Sequence, residues 1–214
     1  MAPMQYKNNT QRIIRTVLGI SLLVYIFTNA KMSYWLPFYT FHTNVFVGAW
    51  YILAGLFPGK NQPALWLKDS VKGSITTYIT ITGLVYNAVL IPVEREMVGY
   101  IPFVSIVTHI FVPLLMIADY LLTPTVEKPK WKNLPGWLSY PLAYAAITLI
   151  HGAISNFYPY PFIDPNQVQS TGMLIFNYSI LILIHAGIAA LYLFAARKKA
   201  YQGKTHPNWS PSNT

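Results

Sequence analysis

The sequence predicts an all-α integral membrane protein, a bundle of six transmembrane helices with both termini in the cytoplasm. Hydrophobic residues make up 54% of the 214 positions and charged residues only 10%, which is too apolar for an ordinary soluble domain. Six apolar runs approach the length of ~20 residues that crosses the hydrocarbon core of a bilayer. These runs lie at 13–30, 38–57, 74–93, 102–122, 138–155 and 172–195.

The placement of the basic residues predicts the orientation. With six spans, thirteen of the fifteen Lys and Arg residues fall on one side of the membrane, and only Lys31 and Arg95 fall on the other. Because loops rich in Lys and Arg stay in the cytoplasm, we expect both termini there. One transmembrane domain over 1–200 is then followed by a polar cytoplasmic tail at 201–214. Topology thus explains the net charge of +9, and no nucleic-acid partner is expected.

The ends of the spans carry signals of their own. Span 1 follows a basic segment without a small-residue cleavage site, so we expect a retained helix rather than a removed signal. Aromatic residues, which favour the membrane interface, precede span 2 at Tyr34 and Trp35 and surround the start of span 5 at Trp137 and Tyr140. The sequence contains no cysteine, which excludes disulfides, thiol nucleophiles and cysteine metal ligands.

Polar side chains inside the spans share one depth. Span 2 begins with Thr40 and Asn44 on one face, whereas span 3 carries Asn87 near its end. At the helical rise per residue, His109 in span 4 lies about 10 Å below the surface, and span 5 carries His151 near its end. The alternating directions of the spans bring all five residues into the outer half of the membrane. We therefore expect a polar site in the outer leaflet half.

His109 is the strongest functional candidate, because an ionisable residue inside a membrane is costly and usually has a function. Pro113, four residues later, has no N–H to donate to the His109 carbonyl. We expect the helix to bend there and to leave a free backbone acceptor beside a cavity.

A histidine can act as a general base near neutral pH, and it then needs a nucleophile. The hydroxyl groups at similar depth belong to Thr40, Thr43, Ser105 and Ser155. Ser105 lies one turn before His109 on the same helix, whereas Thr40 must approach across a helix interface. Spacing alone leaves these candidates open.

Four short segments resemble a known family. They are "FYTFHTN" at 38–44, "EREM" at 94–97, "HIFVP" at 109–113 and "YPYPFID" at 158–164. In this order and spacing they resemble the androgen-induced gene and androgen-dependent tissue-factor-pathway-inhibitor regulator family of multi-span membrane threonine hydrolases, in a prokaryotic branch. The resemblance covers the chain from span 2 onward, and it implies an integral protein of the bacterial plasma membrane.

The same resemblance implies an ester hydrolase. The family cleaves fatty acid esters of hydroxy fatty acids (FAHFA) with a threonine and a histidine, which match Thr40, just before Phe41, and His109. Thr40 would attack the ester and form an acyl-threonine intermediate, while His109 takes its proton. Human members have an aspartate where this chain has Thr43, which keeps Thr43 as an alternative nucleophile.

Further residues complete the predicted site. Asn44, Asn87 or His151 are expected to bind the developing oxyanion or to orient a neighbour. The expected lining and cap of the pocket comprises Pro113, Tyr160, Pro161, Phe162 and Asp164. The expected partners are a lipid or fatty-acyl ester substrate and the bilayer itself, with no cofactor and no metal ion.

Other functions fit the same pattern. His109 and His151 lie at similar depth on adjacent spans and can bind a haem axially. With His42 they can supply three zinc ligands, although the H-E-x-x-H spacing typical of zinc hydrolases is missing. A small transporter is a further alternative, because Pro92 and Pro113 interrupt membrane helices.

Overall fold

The computed structural model describes residues 8–29, 32–59, 64–123, 125, 127 and 129–204. This part of the chain consists of helices and connecting turns, with no strand. Its main helices are α1 (Asn9–Asn29), α2 (Tyr39–Leu56), α3 (Asp69–Val98), α4 (Phe103–Leu122), α5 (Leu134–Ser155) and α6 (Thr171–Lys204). Short helical turns lie at Met32–Trp35, Leu65–Leu67, Trp131–Asn133 and Pro161–Ile163.

The all-α class is confirmed, and each predicted apolar run coincides with one of these helices. α3 is longer at both ends than the run at 74–93, because polar and charged residues continue the helix beyond the apolar stretch. α6 continues to Lys204, so the helix extends into the segment that was predicted as a polar tail from residue 201. Residues 205–214 of that tail lie outside the described residues.

Within the described residues, five helices are long and apolar enough to cross a membrane, namely α1, α3, α4, α5 and α6. α2 is not among them. Its first turns contain Thr40, His42, Thr43 and Asn44, which lower its mean hydropathy. The helix outside this set of five therefore carries Thr40, Thr43 and Asn44, which the sequence singled out.

Glycines bring α1 and α2 close together. A Cβ atom on Gly19 would lie 2.6 Å from the carbonyl oxygen of Gly48, and one on Gly48 would lie 2.6 Å from the Leu23 side chain. Small residues at such positions let two helix backbones approach, as in many membrane helix pairs. The backbones of α1 and α2 therefore lie in close contact at these two glycines.

The core has two parts around α3, which contacts α2, α4, α5 and α6. One cluster joins the first four helices and contains Leu22, Ile26, Phe41, Val47, Trp50, Tyr51, Ala54, Leu67, Ile79, Val112 and Met116. The other joins α4, α5 and α6 and contains Tyr120, Trp137, Ala189, Tyr192, Leu193 and Ala196. Packing of large side chains therefore continues along the bundle.

The outer surface of α5 is strongly apolar. Ile147, Ile150 and Ile154 are mostly exposed, with Ile154 at 83%. An apolar surface of this kind is unfavourable in water. It suits a lipid environment, where a helix is stable because its backbone groups bond to one another. The surface is therefore compatible with a membrane protein.

Basic side chains gather at one end of the bundle, where α1, α3 and α5 begin. We call it the basic end. There Arg12 donates to the Gly55 carbonyl (2.9 Å) and Arg197 donates to the Pro129 carbonyl (3.1 Å). These bonds tie α1 to the end of α2, and α6 to the segment before α5.

A buried charge network joins three helices near the basic end. Asp119 of α4 lies 2.9 Å from Arg15 of α1 and 3.3 Å from Lys72 of α3. The Lys72 ammonium also donates to the Thr123 hydroxyl and lies 5.0 Å from the Trp50 ring centroid. Because Arg15 and Lys72 are both buried, the shared carboxylate is an important electrostatic link in this part of the fold.

Replacing Asp119 by Asn should lower the free energy of unfolding by about 3 kcal/mol, since removing one partner leaves buried charges poorly compensated. The measurement is thermal or denaturant unfolding in detergent. Glu127→Gln is the matched control, because Glu127 pairs with Lys68 at 3.4 Å with side chains 39% and 42% exposed, and exposed pairs contribute little. Equal losses in both variants would contradict the assignment.

Candidate active site

Two wide turns shape the bundle opposite the basic end. α3 contains a π-helical turn at Tyr86–Leu90 and α4 contains one at Val107–Phe111. Each turn precedes a proline, Pro92 or Pro113, whose missing N–H disturbs the regular hydrogen bonding of the helix. Such turns are often found at functional sites. Here they carry Tyr86 and Asn87 on α3, and Thr108 and His109 on α4.

Thr40 and His109 are in hydrogen-bonding contact, as the sequence led us to expect. The Thr40 Oγ1 and His109 Nε2 atoms are 3.1 Å apart, and both residues are only 7% exposed. The other ring nitrogen, Nδ1, lies 3.0 Å from the Ser105 carbonyl oxygen. That carbonyl can only accept, so the hydrogen-bond network assigns the ring proton to Nδ1. Nε2 is then an acceptor for the Thr40 hydroxyl.

The imidazole is also held by two residues that sequence reasoning did not assign to it. The Tyr86 ring stacks on His109 with centroids 3.9 Å apart. The Tyr86 hydroxyl donates to Glu94, and the Ser105 hydroxyl donates to the same carboxylate at 2.7 Å. Glu94 therefore fixes both Tyr86 and Ser105. The segment "EREM" drew attention to Glu94, but the sequence alone did not indicate which residues this glutamate contacts.

The Ser105 hydroxyl, one of the nucleophiles considered from the sequence, does not contact His109. This hydroxyl is directed at Glu94 and the Ser105 carbonyl at His109 Nδ1, so Ser105 contacts the imidazole through the backbone. The sequence placed Ser105 one turn before His109 correctly, and this spacing favours a bond to the carbonyl.

Asn44 and Asn87 join helices. Asn44 Nδ2 donates to the Thr40 carbonyl at 2.9 Å and to the Thr108 carbonyl at 3.1 Å. Asn87 Nδ2 donates to the Gly83 carbonyl at 2.7 Å and, more weakly, to the His109 carbonyl at 3.4 Å. Since both protons of each amide are used, these side chains orient neighbouring backbone groups in this arrangement and have no proton left for an oxyanion.

Asn87 donates to the backbone carbonyl of His109. This carbonyl was expected to lack its usual helical partner because Pro113 has no N–H, and Asn87 supplies a donor from the neighbouring helix. Pro113 itself is buried and packs against Gly83, where a Cβ atom would lie 3.1 Å from the proline ring. Packing of Pro113 against Gly83 therefore brings α3 and α4 close together beside His109.

Thr43 and His151 lie apart from the Thr40–His109 pair. The Thr43 hydroxyl is 2.8 Å from the Thr82 hydroxyl and donates to the Thr40 carbonyl at 3.2 Å. His151 is exposed on α5, 3.2 Å from the Ser155 hydroxyl. The structure does not bring His151, which was expected to join the site, close to this pair, because α5 is peripheral and the residue faces outward.

The same arrangement bears on the haem and zinc alternatives. His109 lines a cavity with Thr40, whereas His151 and His42 line a different groove beside α5. Within the described residues, no group of three or more His, Cys, Asp or Glu side chains is placed to hold a metal ion. The structure therefore does not bring together the ligands on which those alternatives depend.

A loop between α5 and α6 covers Thr40. The Thr40 N–H donates to the Tyr160 hydroxyl oxygen at 3.4 Å, and the Tyr160 ring stacks on Phe162 with centroids 5.4 Å apart. Pro161 begins the helical turn between them. Burial raises the pKa of Tyr160, so its hydroxyl keeps its proton. This segment therefore lies over Thr40.

Asp164 holds this loop in shape. Its Oδ1 atom accepts the Asn166 N–H at 2.8 Å, and its Oδ2 atom accepts the Gln167 side-chain amide at 2.7 Å. These bonds close a turn within the loop. Asp164 therefore organises the cap rather than the reacting groups.

Thr40 lies between two cavities. The inner cavity, about 80 Å³, is bounded by α2, α3, α5 and α6, and its lining includes Ile81, Val85 and Ile182. The outer cavity, about 480 Å³, is lined by residues that include His109 and Glu94. Three residues line both cavities, namely Thr40, Leu90 and Tyr160.

These features form a buried hydroxyl–imidazole pair with access from two sides. No family model, curated protein or solved structure matches this chain. Chemically, an oriented imidazole that accepts a hydroxyl proton can turn that hydroxyl into a nucleophile.

Replacing Asn44 by Ala should lower the free energy of unfolding by about 1 kcal/mol, because the bonds that join α2 to α4 are lost and buried carbonyls lose a donor. Unfolding in detergent measures the change. Asn29→Ala is the control, since Asn29 is exposed and its amide donates within its own helix. A loss no larger than that of Asn29→Ala would show that Asn44 does not link the helices.

Proposed function

We propose that this chain is a membrane-embedded threonine hydrolase that cleaves fatty-acyl esters. Thr40 is the nucleophile, His109 is the general base, and an acyl-threonine is the intermediate. The observation that carries the proposal is the 3.1 Å contact between Thr40 Oγ1 and His109 Nε2, with Nδ1 anchored on the Ser105 carbonyl.

The proposal includes a membrane topology of six spans. α2 would be the sixth, because α1, α3 and α4 pack around it and shield its polar residues from lipid. The positive-inside rule then puts the basic end and both termini in the cytoplasm. Thr40 and His109 lie toward the other end, in the outer half of the plasma membrane.

Acylation begins with proton transfer from Thr40 Oγ1 to His109 Nε2. Oγ1 forms a bond to the ester carbonyl carbon and a tetrahedral oxyanion results. The bond from that carbon to the alcohol oxygen then breaks, and the alcohol leaves with the proton that His109 returns. The acyl group remains on Thr40.

Deacylation repeats these steps with water. His109 Nε2 takes a proton from water while the water oxygen bonds to the acyl carbon. The bond from that carbon to Thr40 Oγ1 breaks, and Oγ1 recovers its proton from His109. A free fatty acid is released, and the enzyme returns to its starting state.

Tyr160 is our candidate for stabilising the oxyanion, because Asn44 and Asn87 are engaged elsewhere. Its hydroxyl lies 3.4 Å from the Thr40 N–H and it lines both cavities. An oxyanion formed at Thr40 can accept from the Tyr160 O–H, whose oxygen is held in place by the Thr40 N–H. Donors fixed in place before the reaction are the effective kind.

The resemblance of the four short segments supports a substrate class. It implies fatty acid esters of hydroxy fatty acids, and the apolar lining of the inner cavity suits a fatty-acyl group. We include these esters among the proposed substrates.

The proposal is tested with a fluorophosphonate probe on the full-length protein in detergent. Thr40→Ala should abolish labelling, because the oxygen that bonds to phosphorus is gone. His109→Gln should slow labelling by about 100-fold or more, since general base catalysis is lost. Thr43→Ala, the matched control on the same helix, should label at close to the wild-type rate.

Two outcomes would contradict this assignment. Labelling that is lost in Thr43→Ala but kept in Thr40→Ala would move the nucleophile to Thr43. Equal labelling of all the variants and the wild type would exclude the hydrolase mechanism.

Tyr160→Phe should lower kcat for ester hydrolysis by about 100-fold with little change in KM, because an oxyanion donor acts mainly in the transition state. Steady-state kinetics with a soluble chromogenic ester measures both constants. Tyr100→Phe is the control, since Tyr100 is 63% exposed and lines neither cavity. A change in KM alone would assign Tyr160 to substrate binding.

A further inference from the structure

The two cavities that meet at Thr40 differ in one respect that matters for chemistry. Thr40 lines both, but His109 lines the outer cavity and is not part of the lining of the inner one. The general base therefore faces only one of the two spaces that a bound ester can occupy.

The proposed reaction decides which part of an ester lies on that side. The leaving alcohol oxygen must receive its proton from His109, so the alcohol part must lie where His109 is exposed. The hydrolytic water must also reach His109 after the alcohol has left. Both requirements apply to the outer cavity, and neither applies to the acyl chain, which stays bonded to Thr40 throughout.

We propose that the inner cavity binds the acyl chain and that the outer cavity binds the alcohol part and then admits water. This assignment rests on the proposed hydrolase function. It gives each cavity its own part in specificity, acyl-chain length on one side and the size of the alcohol on the other.

The chemistry of the inner cavity indicates the kind of acyl chain. Tyr39 and His185 are paired there: the Tyr39 hydroxyl lies 3.2 Å from His185 Nε2, and His185 Nδ1 lies 2.8 Å from the Leu181 carbonyl. The Tyr178 hydroxyl is buried without a hydrogen-bond partner among the described residues, whereas Ile81, Val85, Ala145 and Ile182 give much of the lining an aliphatic character. A hydrocarbon chain therefore suits most of this cavity, because a polar group on the chain would need a partner there.

The outer cavity has a different character. Glu94, Ser105 and Gln167 line it together with aromatic residues, and it has the larger volume. A bulky alcohol with polar groups is therefore compatible with this side.

The test uses two series of esters on the full-length protein. One series keeps the alcohol and lengthens the acyl chain from butyryl to palmitoyl, and the other keeps the acyl chain and enlarges the alcohol. Ala145→Phe narrows the inner cavity and should lower the palmitoyl-to-butyryl ratio of kcat/KM by about 10-fold or more. Val93→Phe narrows the outer cavity and should lower the preference for large alcohols by a similar factor.

Ala143→Phe is the matched control, because Ala143 lies on the same helix as Ala145 but lines the separate groove beside α5. It should change neither ratio. The assignment would be overturned if neither variant changed its ratio, or if Ala145→Phe changed the alcohol preference and Val93→Phe changed the acyl-chain preference. The proposed hydrolase function would stand in either case. A wild-type protein that hydrolyses no ester of either series would overturn the proposed function, and the assignment with it.

A second measurement needs no substitution. A fluorophosphonate whose alkyl chain ends in a photoreactive diazirine should bond to Thr40 and, after irradiation, crosslink to inner-cavity residues such as Tyr178 or Ile182. Crosslinks to Tyr34 or Met97, which line the outer cavity, would overturn the assignment. Mass spectrometry of the digested adduct distinguishes the two results.

Discussion

The candidate site depends on one constraint, that a backbone carbonyl inside a membrane must find a donor within the protein. Pro113 disturbs the regular partner of the His109 carbonyl, and Asn87 from α3 donates to that carbonyl. Asn44 from α2 does the same for the carbonyl of Thr108. These bonds compensate for irregular backbone and at the same time join α2, α3 and α4 around Thr40 and His109.

The orientation of His109 follows a similar logic. In the familiar catalytic triad a carboxylate contacts the imidazole directly, whereas here a backbone carbonyl takes that position. A charged carboxylate in a low-dielectric interior carries a large desolvation penalty. Glu94 is instead half-buried in the lining of the outer cavity, and it acts on His109 through Ser105 and Tyr86.

Apolar runs and alternating directions were sufficient to predict the helices and the common depth of Thr40 and His109, whereas the pairing of these two residues was expected from the resemblance of the four segments. Depth does not determine rotation about a helix axis. His151 has the expected position along α5, yet it faces away from the site. The partners of Asn44, Asn87 and Glu94 were also beyond reach, since the π-helical turns that direct α3 and α4 leave no simple periodic signal.

Tyr160 belongs to a surface loop and also lies at the nucleophile, and this has a kinetic consequence for the proposed enzyme. If the loop moves away to exchange ligands, the two cavities merge and the hydroxyl donor leaves Thr40. Catalysis and wide opening are then alternative conformations of a single segment. The turnover number would therefore be bounded by how often that segment closes again, and the Asp164 turn that stiffens it would favour the closed conformation.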